Sequence, residues 1–290
     1  MNRLRRTMLF IPGNNPGMLQ NAGILGADSI ILDLEDAVSI TEKDSARILV
    51  KNALRSVDFY GCEVLVRINP LSTGFGVEDV EIIAREKPDA ILVPKATEED
   101  IQIIDEMLGR IEVEESLESG VIKIVALIET AYGVENIHSI LGKSSRIIGV
   151  LLGGEDLTAD LGIKRTKEGD EIRYARSKVA TACRANKIVS IDTPFSDVND
   201  MEGLREDVLL AKSIGMTGKA AINPRQVDII HDVFAPSAQE VMDAHRVIKA
   251  AEEAENKGLG VFSLDGKMVD APIIARAKDV LAKAKLTGLI

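Results

Sequence analysis

A TIM (β/α)8 barrel with a C-terminal helical extension is the fold class that this 290-residue sequence predicts. Three observations lead there. Eight short runs rich in β-branched residues recur along the chain, and each is apolar almost throughout rather than alternating. Such runs suit strands covered on both faces of a parallel sheet. Stretches with helical periodicity separate them, so strands and helices alternate over about 220 residues. The phosphate-binding signatures of the rival architecture, an open doubly wound sheet, are also missing: no GxGxxG opens a helix, and no Walker A loop is present. The barrel is expected over residues 1–235 and the extension over 236–290.

In order, the expected strands are Thr7–Ile11, Ser29–Leu34, Glu63–Ile68, Ala90–Val93, Ile122–Ile128, Arg146–Leu152, Ile188–Ile191 and Gly218–Ile222. The last has the weakest signal. Ser39 with Glu42, and Thr97 with Asp100, read as capping boxes before helices. Ser237 with Glu240 opens the extension in the same way. The helix behind it carries Val241, Ala244, Ile248 and Ala251 on one face and is expected to stop near Gly258. A short segment, Val261–Asp270, precedes Pro272, which is well placed in the first turn of a final helix. An appendage of this kind closes one barrel end or reaches a neighbouring subunit.

Composition narrows the function. The formal charge of -11 repels phosphate backbones and anionic lipid, so neither nucleic acid nor a membrane is an expected partner. Cys62 and Cys183 supply no disulfide framework, which fits a reducing compartment and a cytoplasmic location. The apolar run behind the basic start ends at Pro12-Gly13, too short for a signal h-region or a spanning helix.

Polar residues gather at the C-terminal ends of the expected strands, where barrel enzymes place their chemistry. They are Asn14; Asp33, Glu35 and Asp36; Arg67 and Asn69; Lys95; Glu129; Glu155 and Asp156; Asp192; and Asn223. All are expected to converge on one opening. Each has a plainer reading as a loop anchor or as one half of a structural ion pair, Arg67 with a strand-end acid among them. Glu129 resists that reading, because it ends the apolar run IVALIE, where an unpaired charge is costly to bury. A divalent cation between Glu129 and Asp156, with positions left open for water and substrate oxygens, describes a Mg2+ site rather than a Ca2+ cage. His138, His231 and His245 all fall in helical contexts, which argues against a zinc site. There is no Gly-x-Ser-x-Gly elbow. A Schiff base on Lys95 ranks below the metal, because it leaves the carboxylate pair unexplained.

At these residues the sequence resembles the HpcH/HpaI aldolase/citrate lyase superfamily, and within it the citrate lyase β-subunit branch. The resemblance runs through RRTMLFIPGNNPGML, GADSIILDLEDAV, VRINP, LVPKA, IETAYGV, GGEDL, IDTPFSDVND, GKAAINPRQV and LDGKMVDAP, nearly the whole chain. Wider thioester-lyase relatives often carry His where Asn223 stands. The resemblance implies Mg2+ (or Mn2+) between Glu129 and Asp156, with Arg67 on the oxaloacetate-like half of the substrate. It implies that Arg6, Pro12 and Asn14 approach the pantetheine arm, belonging to CoA or to a carrier-protein prosthetic group. Glu129, Lys95 and Glu155 join the substrate-binding set. Asp270, in the GKM-[VI]-D-x-P pattern, is implied to enter a neighbouring subunit's site and act in proton transfer; its plainer role is a helix-entry acid before Pro272.

The implied reaction is a retro-Claisen cleavage of a citryl thioester to oxaloacetate and an acetyl thioester. Glu35, Asp36 and Glu155 are the candidates to accept the hydroxyl proton, and Asp270 to protonate the acetyl enolate. The alternatives are a malyl-CoA-type thioester lyase, a divalent-metal 2-oxo-acid aldolase, and an inactive scaffold subunit of an acyl-carrier complex. Implied partners are the acyl-carrier (γ) and transferase (α) subunits of citrate lyase, around a homo-oligomer, trimer or hexamer, of this chain.

Overall fold

The structure, a computed structural model, describes residues 3–256 and 260–290. One compact unit comprises Arg5–His231, and a second is built around Asp232–Ile290. In the first, eight parallel strands close into a barrel in chain order. They are β1 (Thr7–Pro12), β2 (Ser29–Asp33), β3 (Glu63–Arg67), β4 (Ala90–Val93), β5 (Lys123–Ile128), β6 (Ile147–Leu152), β7 (Val189–Asp192) and β8 (Gly218–Ala221). Every residue of β2, β3, β4 and β8 is buried, which is why their sequences lack polar alternation.

The pleat sorts each strand into inward and outward positions. Met8, Ile31, Leu65, Leu92, Val125, Leu127, Leu151, Ile191 and Ala220 form a core cluster within the barrel. Continuing the same parity toward the strand ends brings Asp33, Arg67, Glu129, Gly153, Thr193 and Ile222 to the inside of the C-terminal mouth, where all six line one cavity. At the opposite end, ahead of β1, Arg5 forks onto Glu63 with two bonds of 2.6 Å. Arg6 forks onto Asp28 at 2.8 and 2.9 Å.

The helix starts expected from sequence divide. Thr97 caps the helix Glu98–Glu114, its side chain accepting from the Asp100 amide. Ser39 makes no such cap: its hydroxyl donates to Glu42 across a 3-10 turn, Ile40–Glu42, and the α-helix opens only at Lys43. The Lys43 ammonium is instead drawn inward onto the carbonyls of Leu34 and Glu35, at 2.8 and 2.6 Å. That tie fixes the β2 exit.

In the second unit, Ser237 and Glu240 complete a reciprocal capping box for the helix Ala238–Glu255, which buries Val241, Ala244 and Ala254. Gly258, where that helix was expected to stop, lies outside the described residues. A small antiparallel hairpin follows, β9 (Phe262–Leu264) with β10 (Lys267–Val269). Pro272 occupies the first turn of the final helix, Ala271–Leu286, and Asp270 is its N-cap, accepting from the Ile273 amide at 3.3 Å. Among the described residues, no helix is long and apolar enough to cross a membrane.

Candidate active site at the C-terminal mouth of the barrel

The mouth encloses a cavity of about 460 Å3. Its floor is apolar, with Phe10, Leu127 and Leu151 facing it and Ile222 at the more exposed rim, and its polar wall is Asp33, Asp36, Arg67, Glu129, Glu155 and Asp156. Pro12 lines it as well, at the end of β1.

Arg67 and Asp33 are paired residues in the register of β2 and β3, so they leave adjacent strands at one level. Arg67 Nε donates to Asp33 Oδ1 at 2.7 Å and Nη2 to Asp33 Oδ2 at 2.6 Å. Its guanidinium also stacks over Phe10, 5.0 Å from the ring centroid. The fork expected to grip substrate is thus committed to Asp33 along one edge. Nη1 donates to Asp36 Oδ2 at 3.2 Å and lies 2.9 Å from Glu35 Oε2, an ion pair outside hydrogen-bond geometry. Burial works against the charge of Arg67, but the bonds to Asp33 and the neighbouring Glu35 and Asp36 hold its pKa above the usual arginine range. Asp33 is held in turn by the amides of Glu35 and Ala37.

Glu129 sits just past β5 with its side chain 2% exposed. Its Oε1 accepts from the Lys95 amide at 2.9 Å. Lys95 presents that amide from a left-handed backbone conformation, φ 46°, uncommon for a residue with a Cβ. Gly153 passes directly over the carboxylate: a Cβ there would stand 2.5 Å from Glu129 Cβ and 2.6 Å from Oε2. The Lys95 ammonium lies 3.5 Å from Asp156 Oδ1 and 3.8 Å from Glu35 Oε1. Burial pushes the Glu129 carboxyl up to about 8, with the charges of Glu35 and Asp156 adding to it. Burial likewise pushes Glu35 up to about 7, against the opposing pull of Arg67.

The mouth gathers Asp33, Glu35, Asp36, Glu129, Glu155 and Asp156 against the cations Arg67 and Lys95, an excess of carboxylate that a divalent cation would relieve. Glu129 and Asp156 supply hard oxygen donors from two neighbouring strand ends. Among the described residues, no group of three or more His, Cys, Asp or Glu side chains is arranged to hold a metal ion. A cation at Glu129 and Asp156 would have to draw its remaining oxygens from substrate and water, an arrangement that two hard oxygen donors at an open mouth fit.

Not every expected residue comes to the cavity. Arg6 lies at the other end of β1, spent on Asp28, and does not approach the mouth. Asn14 is half-buried on the mouth-side loop but turned to Glu42, to which it donates at 2.7 Å, and does not line the cavity. Asn69 turns away to the Leu34 carbonyl and Asp79. Asn223 caps the turn Pro224–Gln226. Asp192 has the opposite parity to Thr193 and points outward from the barrel, into an ionic cluster with Lys219, Arg176 and Asp207. Asp270, expected in a neighbouring subunit's site rather than in this one, caps the final helix of the second unit. Asp33, expected at the mouth, is the strand-end acid that holds Arg67; Gly153 as the space over Glu129 and Thr193 in the wall were missed as site residues. Inward parity counted forward from Leu151 along β6 and from Ile191 along β7 would have found them.

Residues 6–224 match the HpcH/HpaI aldolase/citrate lyase family. The chain is 44% identical to citrate lyase subunit beta of Leuconostoc mesenteroides subsp. cremoris, over 99% of this chain and 96% of that one. It superposes on the crystal structure of CitE from Mycobacterium tuberculosis in complex with magnesium, acetoacetate and coenzyme A with a TM-score of 0.81, 28% identity, and coverage of 98% and 100% of the two chains. A citrate lyase beta subunit from M. tuberculosis complexed with oxaloacetate and magnesium matches at TM-score 0.68 and 28% identity, covering 81% of this chain and all of that one. Fold, strand-end residues and relatives agree: the chain belongs to the HpcH/HpaI aldolase/citrate lyase family.

Proposed function

We propose that this chain is the carbon–carbon lyase of a citrate lyase, its β subunit, and cleaves a citryl thioester to oxaloacetate and an acetyl thioester. The observation that carries the reading is the seating of Arg67, locked by Asp33, in one cavity with Glu129 and Asp156. Relatives of the same length named for this subunit support it. Mg2+ held by Glu129 and Asp156, with Mn2+ as a substitute, would supply Lewis acidity that makes the substrate hydroxyl more acidic.

The chain's own residues divide the remaining work. Arg67 is already oriented by Asp33 and Phe10, so only its long Nη1 bond to Asp36 has to yield for it to meet the carboxylate of the oxaloacetate half. The hydroxyl proton passes to a carboxylate of the wall. Asp36 and Glu155 face the cavity, whereas Glu35 stands behind Arg67 Nη1. As the C–C bond breaks, its electron pair goes to the acetyl thioester enolate and the hydroxyl carbon becomes the ketone of oxaloacetate. The apolar floor of Phe10, Leu127 and Leu151 excludes water from that enolate until it takes up a proton. We assign that proton to Asp270 of a neighbouring copy. The thioester arm enters past Pro12 and Asn14, with Lys95 at the rim. Partners in this reading are the acyl-carrier (γ) and transferase (α) subunits, around a trimer or hexamer of this chain in the cytoplasm.

The test is to offer the purified chain citryl-CoA, malyl-CoA and a free 4-hydroxy-2-oxo acid, with Mg2+ and then with EDTA. Citryl-CoA should be cleaved fastest, lose cleavage in chelator and regain it on adding Mg2+. Faster turnover of malyl-CoA or of the free acid reassigns the substrate. Indifference to EDTA removes the cation, and no cleavage of any of them leaves a scaffold subunit.

A further inference from the structure

We infer that Thr193 is a positioning residue for the cation site, acting on Asp156 through the backbone of Gly154. The inference rests on the proposed role of Asp156 and extends it to a residue that binds no metal itself. Thr193 is 1% exposed, at the exit of β7. Its Oγ1 accepts from the Gly154 amide at 2.9 Å. The two residues are packed without slack, since a Cβ on Gly154 would meet Thr193 Oγ1 at 2.9 Å and Cγ2 at 3.2 Å. Gly154 is the first residue of the helix Gly154–Asp160, whose N-cap, Gly153, has no side chain to hold it. Asp156 follows two residues later in that first turn, so the seat of Gly154 on Thr193 sets where the carboxylate stands.

Thr193 is itself fixed from behind the barrel wall. Its carbonyl accepts from the Lys219 ammonium at 2.6 Å. That ammonium also donates to Asp192 and Asp207, at 2.6 Å each. Arg176 completes the cluster, bonded to both carboxylates, and all four side chains are buried. Two cations and two carboxylates balance, so the cluster is a neutral anchor with three bonds on one ammonium. A group that hydrogen-bonds a metal ligand commonly changes metal affinity by roughly 10–100-fold when it is lost. Thr193 acts a step further back, through the Gly154 backbone, which sets the lower end of that range as the expectation.

Thr193→Val keeps the shape and removes the acceptor. Divalent-cation affinity, measured by Mg2+ and Mn2+ titration calorimetry without substrate, is expected to weaken about tenfold. Thr193→Ser restores the hydroxyl and should restore affinity. In turnover, Thr193→Val should raise the Mg2+ concentration for half-maximal rate while saturating Mg2+ recovers most of kcat; a residue that merely touched substrate would leave the calorimetric affinity unmoved. Thr193→Cys, whose thiol is a poor acceptor, replaces Val if Val does not fold. Asp156→Asn is the reference. If Asp156→Asn weakens the cation and Thr193→Val (or Cys) does not, the positioning role is overturned and the site stands. If Asp156→Asn binds the cation normally, the site and the positioning role fall together.

Discussion

Lys219→Met tests whether the buried ionic cluster is balanced as described. The substitution keeps the length of the side chain and deletes one of two cations facing two carboxylates. Asp192 and Asp207 are then left sharing Arg176, with one uncompensated negative charge among side chains no more than 5% exposed. Lys219 and Arg176 together hold the Asp192 carboxyl below its ordinary range although burial pushes the other way, so the ammonium offsets a real desolvation cost. Removing one partner of a buried pair costs about 3–5 kcal/mol. At roughly 2 °C per kcal/mol for a chain of this size, Tm should fall by about 6–10 °C. Lys219→Met combined with Asp207→Asn restores neutrality, since the bidentate Asp192–Arg176 pair, at 2.8 and 2.9 Å, survives intact. The double variant should recover at least about 1–2 kcal/mol of the loss, a non-additivity typical of groups in one network. Thermal unfolding at fixed protein concentration and pH 7 reads both. A double variant that melts below Lys219→Met would refute the charge-balance reasoning, because deleting the second charge would then have made matters worse.

Other expectations follow from the mouth of the barrel and from the interior. Arg67→Lys keeps the charge but leaves Asp33 a single point donor in place of two parallel bonds, so kcat/KM should drop about 100-fold or more while Mg2+ affinity holds; near-normal turnover contradicts the role of the fork. Gly153→Ala forces a methyl into the space of the Glu129 carboxylate, and calorimetry should show weaker Mg2+ binding alongside about 1–3 kcal/mol of destabilisation; wild-type affinity would show that Glu129 is not the ligand. Burial pushes the Cys183 thiol up to about 12. At pH 8 it should resist a disulfide reagent in the folded protein and react only on unfolding; modification of Cys183 in the native state at the unfolded rate argues against that burial.

The barrel was legible because each strand's neighbours demand apolar residues on both faces, and that pattern survives in a single sequence. Strand ends were legible too: every expected strand start falls within one residue of the observed one. Helix starts were less so. Thr97 and Ser237 cap as their spacing suggests, but Ser39 does not, because Lys43 is pulled onto the β2 exit and the chain makes a 3-10 turn first. For the candidate site, residue type and strand-end position were enough to group Arg67, Glu129 and Asp156, which line one cavity. They were not enough to separate inward from outward, so Asp192 was counted with the mouth although one step of parity sends it behind the wall. Arg6 was carried to the wrong end of β1 by the motif it belongs to; strand direction alone places it away from the chemistry. Gly153 and Thr193 had no signal as single residues, since one acts by lacking a side chain and the other by accepting a backbone amide.

The clasps of Arg5 on Glu63 and Arg6 on Asp28 lie at the end of the cylinder remote from the mouth. Closure of the first strand is thereby insulated from whatever happens to the rim. Substitutions in the loops beyond β5 and β6 leave those clasps untouched, so the rim can be re-engineered without unsealing the vessel that carries it.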